Sequence, residues 1–152
     1  MRRDTVIAGA VFAVIPVVIL SLAVACTWAV AHGASPMWRL AFRFLCHGIP
    51  HRCLAIWGVP MPICARCTAI YAGLFCGLAI FFLAPWLIEK AARCLTLAAA
   101  TAMAIDGFTQ LARLRESTNS LRLATGAALG VTFGYWILSA IERRDQTARA
   151  PS

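Results

Sequence analysis

Charge is scarce in this chain of 152 residues. Charged side chains make up 13% of the sequence, only six of them Asp or Glu, whereas hydrophobic residues make up 61%. Soluble domains carry about 25% charged and about 45–50% apolar residues, so this composition excludes a large soluble catalytic domain. It indicates an integral membrane protein, in which each crossing needs about 20 apolar residues.

Four apolar stretches are long enough to cross a bilayer. Three are free of charge, at residues 6–31, 68–88 and 123–141, and a fourth, residues 94–112, contains one acid, Asp106. We therefore expect an all-α integral membrane fold, with four transmembrane helices in a compact bundle and residues 1–152 in a single domain. Small residues that allow close helix contacts recur every four positions in two of the spans: Ala69, Gly73 and Gly77, and Gly126, Gly130 and Gly134.

Four spans place both termini on one side of the membrane, together with "EKAAR" as a tight turn. The polar loops 32–66 and 113–122 then lie on the other side. Lys and Arg are divided equally, seven to each side, so the positive-inside rule does not decide the orientation. Because "MRRD" before the first span resembles an uncleaved signal anchor, we expect the inner (plasma) membrane with cytoplasmic termini. The lipid bilayer is the expected partner, nucleic acid is not, and the oligomeric state stays open.

The first polar loop opens with the stretch "SPMWRLAFRFLCH". Ser35 suits the N-cap of a helix and Pro36 its first position, and apolar residues recur at helical spacing. This pattern predicts an interfacial amphipathic helix over residues 36–46. Arg39 and Arg43 would then face lipid headgroups or contribute to a site. The remainder of the loop is rich in Gly and Pro and is expected to form loops and turns.

A Cys-x-x-Cys pair, Cys64 and Cys67, stands at the start of the second span. If the loop folds back, Cys46 and His47 approach this pair. Zinc favours four thiolate and imidazole ligands, and iron or copper(I) can use the same soft donors. We therefore interpret these four residues as a metal site.

Other uses of the same cysteines remain open. Thiols beside arginines and a helix N-terminus can exchange disulfides, so Cys64 and Cys67 could serve a quinone-coupled oxidoreductase, with Cys46 or Cys53 as the shuttle. The pair could also be inert, or the polar groups could form the binding station of a metal or anion transporter. The other cysteines, Cys26, Cys76 and Cys94, fall within spans and are interpreted as core residues.

Polar residues gather around the second loop. Asp106, Gln110 and Arg113 share one face of the third helix, and an ionisable group within a span is costly unless it is paired or functional. "RESTNSLR" follows directly. The candidate catalytic residues are Asp106, Arg115, Glu116 and Arg122, and the candidate ligand-binding residues are Arg52, Arg66, Gln110 and Asn119. The arginines around this loop could bind a phosphate or carboxylate through paired hydrogen bonds. A purely structural role is the alternative: Ser117 or Thr118 caps the fourth helix and Asp106 neutralises an arginine.

Two long motifs resemble a known family. "FLCHGIPHRC" with "PICARCTAIYAGLFCG", and "DGFTQLARLRESTNSLRLATGAALG", are similar to the signatures of the bacterial membrane proteins grouped as domain of unknown function 2085. The resemblance covers about residues 44–130 and implies a membrane fold but no particular activity. The family usually has serine at the position of Cys53, which argues against a redox shuttle there and favours the metal site.

The sequence thus predicts a membrane protein with a Cys/His metal site, zinc foremost, beside an Arg/Asp pocket at one membrane face. The pocket is expected to bind or act on a small or lipid-linked anion. These residues do not decide whether the protein is an enzyme.

Overall fold

The computed structural model describes residues 3–85, 88–114 and 116–148. Its main elements are four α-helices: α1 (Arg3–Ala31), α2 (Ala65–Leu83), α3 (Glu89–Leu111) and α4 (Asn119–Thr147). Each helix contains a segment that is long and apolar enough to cross a membrane. The expected helical membrane architecture with four spans is confirmed.

The helix ends differ from the charge-free runs. The helix α2 begins at Ala65 and ends at Leu83, and the "EKAAR" segment expected as a turn forms the first turn of α3. At the edge of a bilayer, charged side chains can reach water while their backbone stays helical, so a charge does not mark the end of a helix.

The helices α2 and α4 form the centre of the molecule because their backbones touch. A Cβ atom added at Gly73 would lie 2.7 Å from the carbonyl oxygen of Ala127, and one at Gly126 would lie 2.6 Å from that of Arg66. Only glycine permits this approach, as the small-residue stripes predicted. Helix α1 packs mainly against α2, and α3 packs against α4, which gives the order α1, α2, α4, α3.

At one end of the bundle, a hydrogen bond connects the first helix to the last. The Thr5 hydroxyl donates a hydrogen bond to Glu142, which connects the start of α1 to the end of α4. At the same end, Trp136 Nε1 and Arg143 donate to the Glu89 carboxylate at 3.2 and 2.8 Å. The two polar loops therefore lie together at the opposite end, which we call the loop end.

The first loop contains two strands that the sequence did not suggest. Strands β1 (Cys53–Ile56) and β2 (Val59–Cys64) form an antiparallel hairpin, preceded by a short 3-10 turn at Pro50–Arg52. The hairpin turn consists of Trp57 and Gly58, which both have positive φ, at 54° and 75°. Two prolines in β2 argue against a strand in sequence, but a two-stranded hairpin leaves each strand an unpaired edge where proline is tolerated.

The helix expected over residues 36–46 is a 3-10 helix at Pro36–Phe44. Its start is as predicted, since the Ser35 hydroxyl accepts a hydrogen bond from the Met37 amide at 3.3 Å. Phe42 is buried in a cluster with Met61 and Ile63, whereas Phe44 points outward and is almost fully exposed. Such a helix carries apolar groups on its inner and its outer face, and its place in the membrane interface stays a prediction.

Candidate metal centre and arginine pocket

Three cysteine sulfurs come together at the loop end of the bundle. The Sγ atoms of Cys46, Cys64 and Cys67 all lie within 4.8 Å of one another. Cys64 ends β2 and is the N-cap of α2, and Cys67 lies in the first turn of that helix, so the Cys-x-x-Cys turn spans a strand-to-helix junction. Within the described ranges, no fourth His, Cys, Asp or Glu joins this group. The arrangement is a compact set of three soft donors.

The turn after Cys46 holds that residue against β2. Gly48 has a φ of +56°, and a Cβ atom there would lie 2.7 Å from the Pro62 carbonyl oxygen. Both the dihedral angle and the close approach call for glycine. The Cys64 amide then donates to the Cys46 sulfur at 3.3 Å. Backbone geometry therefore fixes the position of Cys46 relative to the Cys-x-x-Cys turn.

The cluster stabilises a thiolate at Cys46. Hydrogen bonds from the Cys64 and Cys67 thiols lower the pKa of Cys46, and backbone N–H groups of Gly48 and Cys64 lower it further, against the effect of burial. A thiolate is the form of cysteine that binds metals and attacks disulfides. The three cysteines therefore share one site.

Cys53 lies beside the cluster without belonging to it. It pairs with Cys64 across the hairpin, and its Sγ donates to the Ile49 carbonyl oxygen at 3.2 Å. Burial, together with the charges of Cys46 and Cys64, raises the pKa of Cys53 to about 11. Cys53 is therefore a neutral thiol at physiological pH.

The structure does not bring His47 into the cysteine group. Its side chain is exposed and lines a small cleft of about 260 Å³ with Arg39, Arg43 and Cys46. Adjacent side chains usually point apart, so Cys46 and His47 face different surroundings in the same turn. Arg39, in contrast, points inward and donates to the Met61 carbonyl oxygen at 3.2 Å.

A buried carboxylate joins α2, α3 and the second loop. Asp106 is 4% exposed, forms an ion pair with Arg66 from the first turn of α2, and accepts a hydrogen bond from the Ser117 hydroxyl at 3.0 Å. Thr118, not Ser117, caps α4, because its side chain accepts from the Leu121 amide at 3.3 Å. The sequence offered Ser117 only as a cap, so its bond to Asp106 was missed.

Arg122 connects this polar cluster to the hairpin. It is 5% exposed and donates to Asn119 Oδ1 at 2.8 Å, and it donates to the side-chain oxygen of Gln110 at 2.6 Å in the amide orientation that satisfies both groups. Asn119 Nδ2 in turn donates to the Cys53 carbonyl oxygen at 3.5 Å. Arg122 also lies within electrostatic range of Cys64. The arginine pocket and the cysteine cluster are therefore neighbours.

An open cleft of about 800 Å³ lies on the outer side of this cluster. It is lined by Arg52, Arg66, Gly107, Gln110, Leu111, Arg113 and Glu116. Glu116 is exposed at its rim, and Arg113 follows the end of α3 with a φ of 57°. Most of the residues predicted for ligand binding thus meet in one place, and Arg115 lies outside the described residues.

Two of the cysteines interpreted as core residues are not in the core. Cys76 and Cys94 are exposed on α2 and α3, and Cys26 is half-buried. A membrane helix is apolar on its lipid-facing side as well as its packed side, so an apolar residue within a span does not reveal which way it faces.

These features define a helical membrane protein with a thiol cluster and an arginine pocket at one end of the bundle. The chain belongs to the family described as "Predicted membrane protein (DUF2085)", whose family model matches residues 46–136. An uncharacterised protein of the archaeon Methanothermobacter thermautotrophicus is 41% identical over 92 residues, which cover 60% of this chain and 83% of that protein.

A second uncharacterised protein, from Methanocaldococcus jannaschii, is 38% identical over 99 residues, 64% of each chain. The match thus covers slightly less than two thirds of this relative. Both organisms are archaea, so these relatives do not confirm the expected bacterial origin. No solved structure matches the chain.

Proposed function

We propose that the protein binds a soft transition metal, zinc foremost, through Cys46, Cys64 and Cys67. This proposal rests on the proximity of three sulfur atoms, which all lie within 4.8 Å of one another. Sulfurs bound tetrahedrally to one zinc at about 2.3 Å are about 3.8 Å apart, so only small shifts would close the site. Hydrogen bonds that favour the thiolate of Cys46 support the same function.

Three protein ligands leave one position of a tetrahedral ion open. Structural zinc sites use four protein ligands, whereas sites that bind or activate another molecule keep one position for it. His47, which follows Cys46 directly, could fill this position only if its exposed side chain turned toward the sulfurs. We propose instead that an external ligand occupies it.

The second part of the proposal is that the neighbouring arginines bind the negative charge of that ligand, a small or lipid-linked anion. Arg52, Arg66 and Arg113 line one cleft, and planar guanidinium groups suit phosphate and carboxylate. Asp106 would act as the counter-ion that positions Arg66. Proximity of Arg122 to Cys64 supports a shared site.

Elemental analysis of the purified protein, with a count of free thiols, tests the metal proposal. We expect about one zinc ion per chain, lost in Cys64→Ser and kept in Cys94→Ser, because Cys94 is an exposed cysteine of α3 outside the cluster. His47→Ala should keep the metal if three thiolates hold it. Protein without zinc, iron or copper would refute the proposal.

The redox alternative predicts a different result with the same samples. Alkylation before and after reduction would then reveal a disulfide between Cys64 and Cys67 that a quinone regenerates. Thiols that stay free after metal removal under quinone treatment would exclude that chemistry.

We also propose that the protein lies in the plasma membrane with its termini in the cytoplasm. Of the six loop-end arginines in the described part of the chain, three donate hydrogen bonds within the protein: Arg39, Arg66 and Arg122. These arginines have a role in folding and binding. Their number at the loop end therefore does not have to mean that the loops lie in the cytoplasm.

A further inference from the structure

We infer that the cleft lined by Arg52, Arg66 and Arg113 binds the phosphate group of a membrane lipid. This inference rests on the proposed anion pocket and names the class of its ligand. The cleft has a volume of about 800 Å³, which falls within the roughly 300–1,000 Å³ of typical ligand pockets. The charge of the cleft, its unsatisfied donors and the exposed apolar side chains beside it each support the inference.

The cleft has an excess of positive charge. Arg52, Arg66 and Arg113 line it and the buried Arg122 lies behind it, within electrostatic range of Arg52 and Arg66. Among the described residues of this region, the acids are Asp106, already engaged by Arg66 and Ser117, and Glu116, exposed at the rim. Repulsion between arginines near a bilayer favours an anion that enters and neutralises them.

Two of these arginines also have donors without acceptors. The Nε atoms of Arg52 and Arg66 are buried and have no hydrogen-bond partner in the described part of the chain. A guanidinium has five N–H donors, and a buried donor left unpaired is costly. Phosphate presents several acceptor oxygens and accepts forked pairs of bonds from arginine, so a small rotation of these side chains toward it would satisfy them.

Exposed apolar side chains lie beside the cleft. Residues from the start of α2 and the end of α3 line it, and each of these two helices packs against α4. Phe108, Leu111 and Leu114 beside the cleft are each more than two thirds exposed. Leu111 also lines the cleft itself. A soluble phosphate would make no use of these apolar groups, whereas the acyl chains of a lipid would cover them.

Native mass spectrometry of the detergent-purified protein can separate headgroup from acyl chain. The ligands are phosphatidic acid, diacylglycerol with the same chains, and glycerol 3-phosphate. We expect phosphatidic acid to bind most tightly, with glycerol 3-phosphate weak and diacylglycerol weaker still. Arg52→Gln and Arg113→Gln should each weaken phosphatidic acid binding by about tenfold, the size expected for one charge-assisted hydrogen bond. Arg144→Gln, an exposed arginine at the opposite end of the bundle and outside the cleft, should leave phosphatidic acid binding unchanged.

Equal binding of diacylglycerol, or an equal loss with Arg144→Gln, would overturn the phosphate site. Glycerol 3-phosphate binding as tightly as phosphatidic acid would show a soluble phosphate ligand and overturn the lipid inference. Zinc content measured in the same samples separates this inference from the metal proposal. If the protein contains no metal but binds the lipid in a way that depends on Arg52, only the metal proposal is refuted. If it contains metal but does not bind the lipid, only the lipid inference is refuted.

Discussion

Asp106→Asn is expected to destabilise the protein strongly. Asparagine keeps the shape of the side chain but removes the charge that faces Arg66, and the Ser117 hydroxyl loses an ionised acceptor. Breaking a buried ion pair costs about 3–5 kcal/mol, because the remaining charge stays in a poorly hydrated place. Asp106 is 4% exposed, but Arg66 is 20% exposed and can gain some hydration. We therefore expect a loss near the lower limit, about 3 kcal/mol.

A matched control exists at the other end of the bundle. Glu89→Gln removes the carboxylate that pairs with Arg143, whose side chain is 52% exposed, so solvent screening makes the expected loss of stability much smaller. Each kcal/mol lowers the Tm of a domain of this size by roughly 2–4 °C. Thermal unfolding in one detergent should thus show a decrease in Tm of about 6–12 °C for Asp106→Asn and a clearly smaller decrease for Glu89→Gln.

Two results would refute this reasoning. Equal decreases in Tm for the two variants would mean that burial does not set the strength of the pair. A double-mutant cycle of Asp106→Asn with Arg66→Gln that gave a coupling below about 0.5 kcal/mol would mean that the two residues do not interact energetically.

Three further outcomes follow from the contacts. Gly77→Ala should lower the Tm because its Cβ would overlap the Val131 carbonyl oxygen, whereas Gly107→Ala meets only ordinary contacts and should be neutral or gain up to about 1 kcal/mol in helix propensity. Gly48→Ala should lower zinc content as well as Tm, since it moves the turn that holds the cluster, and normal zinc would contradict that role. Zinc at about 1,000 times its Kd should stabilise the protein by about 4 kcal/mol, and Cys64→Ser should abolish this chelator-sensitive shift in Tm.

The large elements were predictable because each depends on one physical requirement. A bilayer imposes a length on every apolar helix, so four spans follow from the apolar runs. The small-residue stripes through Gly73 on α2 and Gly126 on α4 predict where two backbones touch. Asp106 was identifiable as a site residue for the same kind of reason, since a carboxylate within a span needs a partner.

The details of the site depend on local geometry that residue types do not encode. The hairpin was missed because its two prolines argue against a strand and its turn requires an uncommon positive φ at Trp57. His47 was grouped with the cysteines by sequence proximity, yet side-chain direction within the turn decides which groups meet. Ser117 and Thr118 are equally good caps in sequence, and only the path of the second loop distinguishes them.

The arginines that are bound inside the protein bear on its orientation in the membrane. Of the six loop-end arginines that the structure describes, three are bound inside the protein, which leaves the exposed positive charge concentrated at the terminal end, for example at Lys90, Arg93 and Arg144. The positive-inside rule then favours cytoplasmic termini, although Arg2, Arg115 and Arg149 lie outside the described residues. A C-terminal green fluorescent protein fusion should therefore fluoresce, and an alkaline phosphatase fusion at the same position should be inactive. The reverse pair of results would place the cysteine cluster in the cytoplasm, where reducing conditions favour thiols over disulfides.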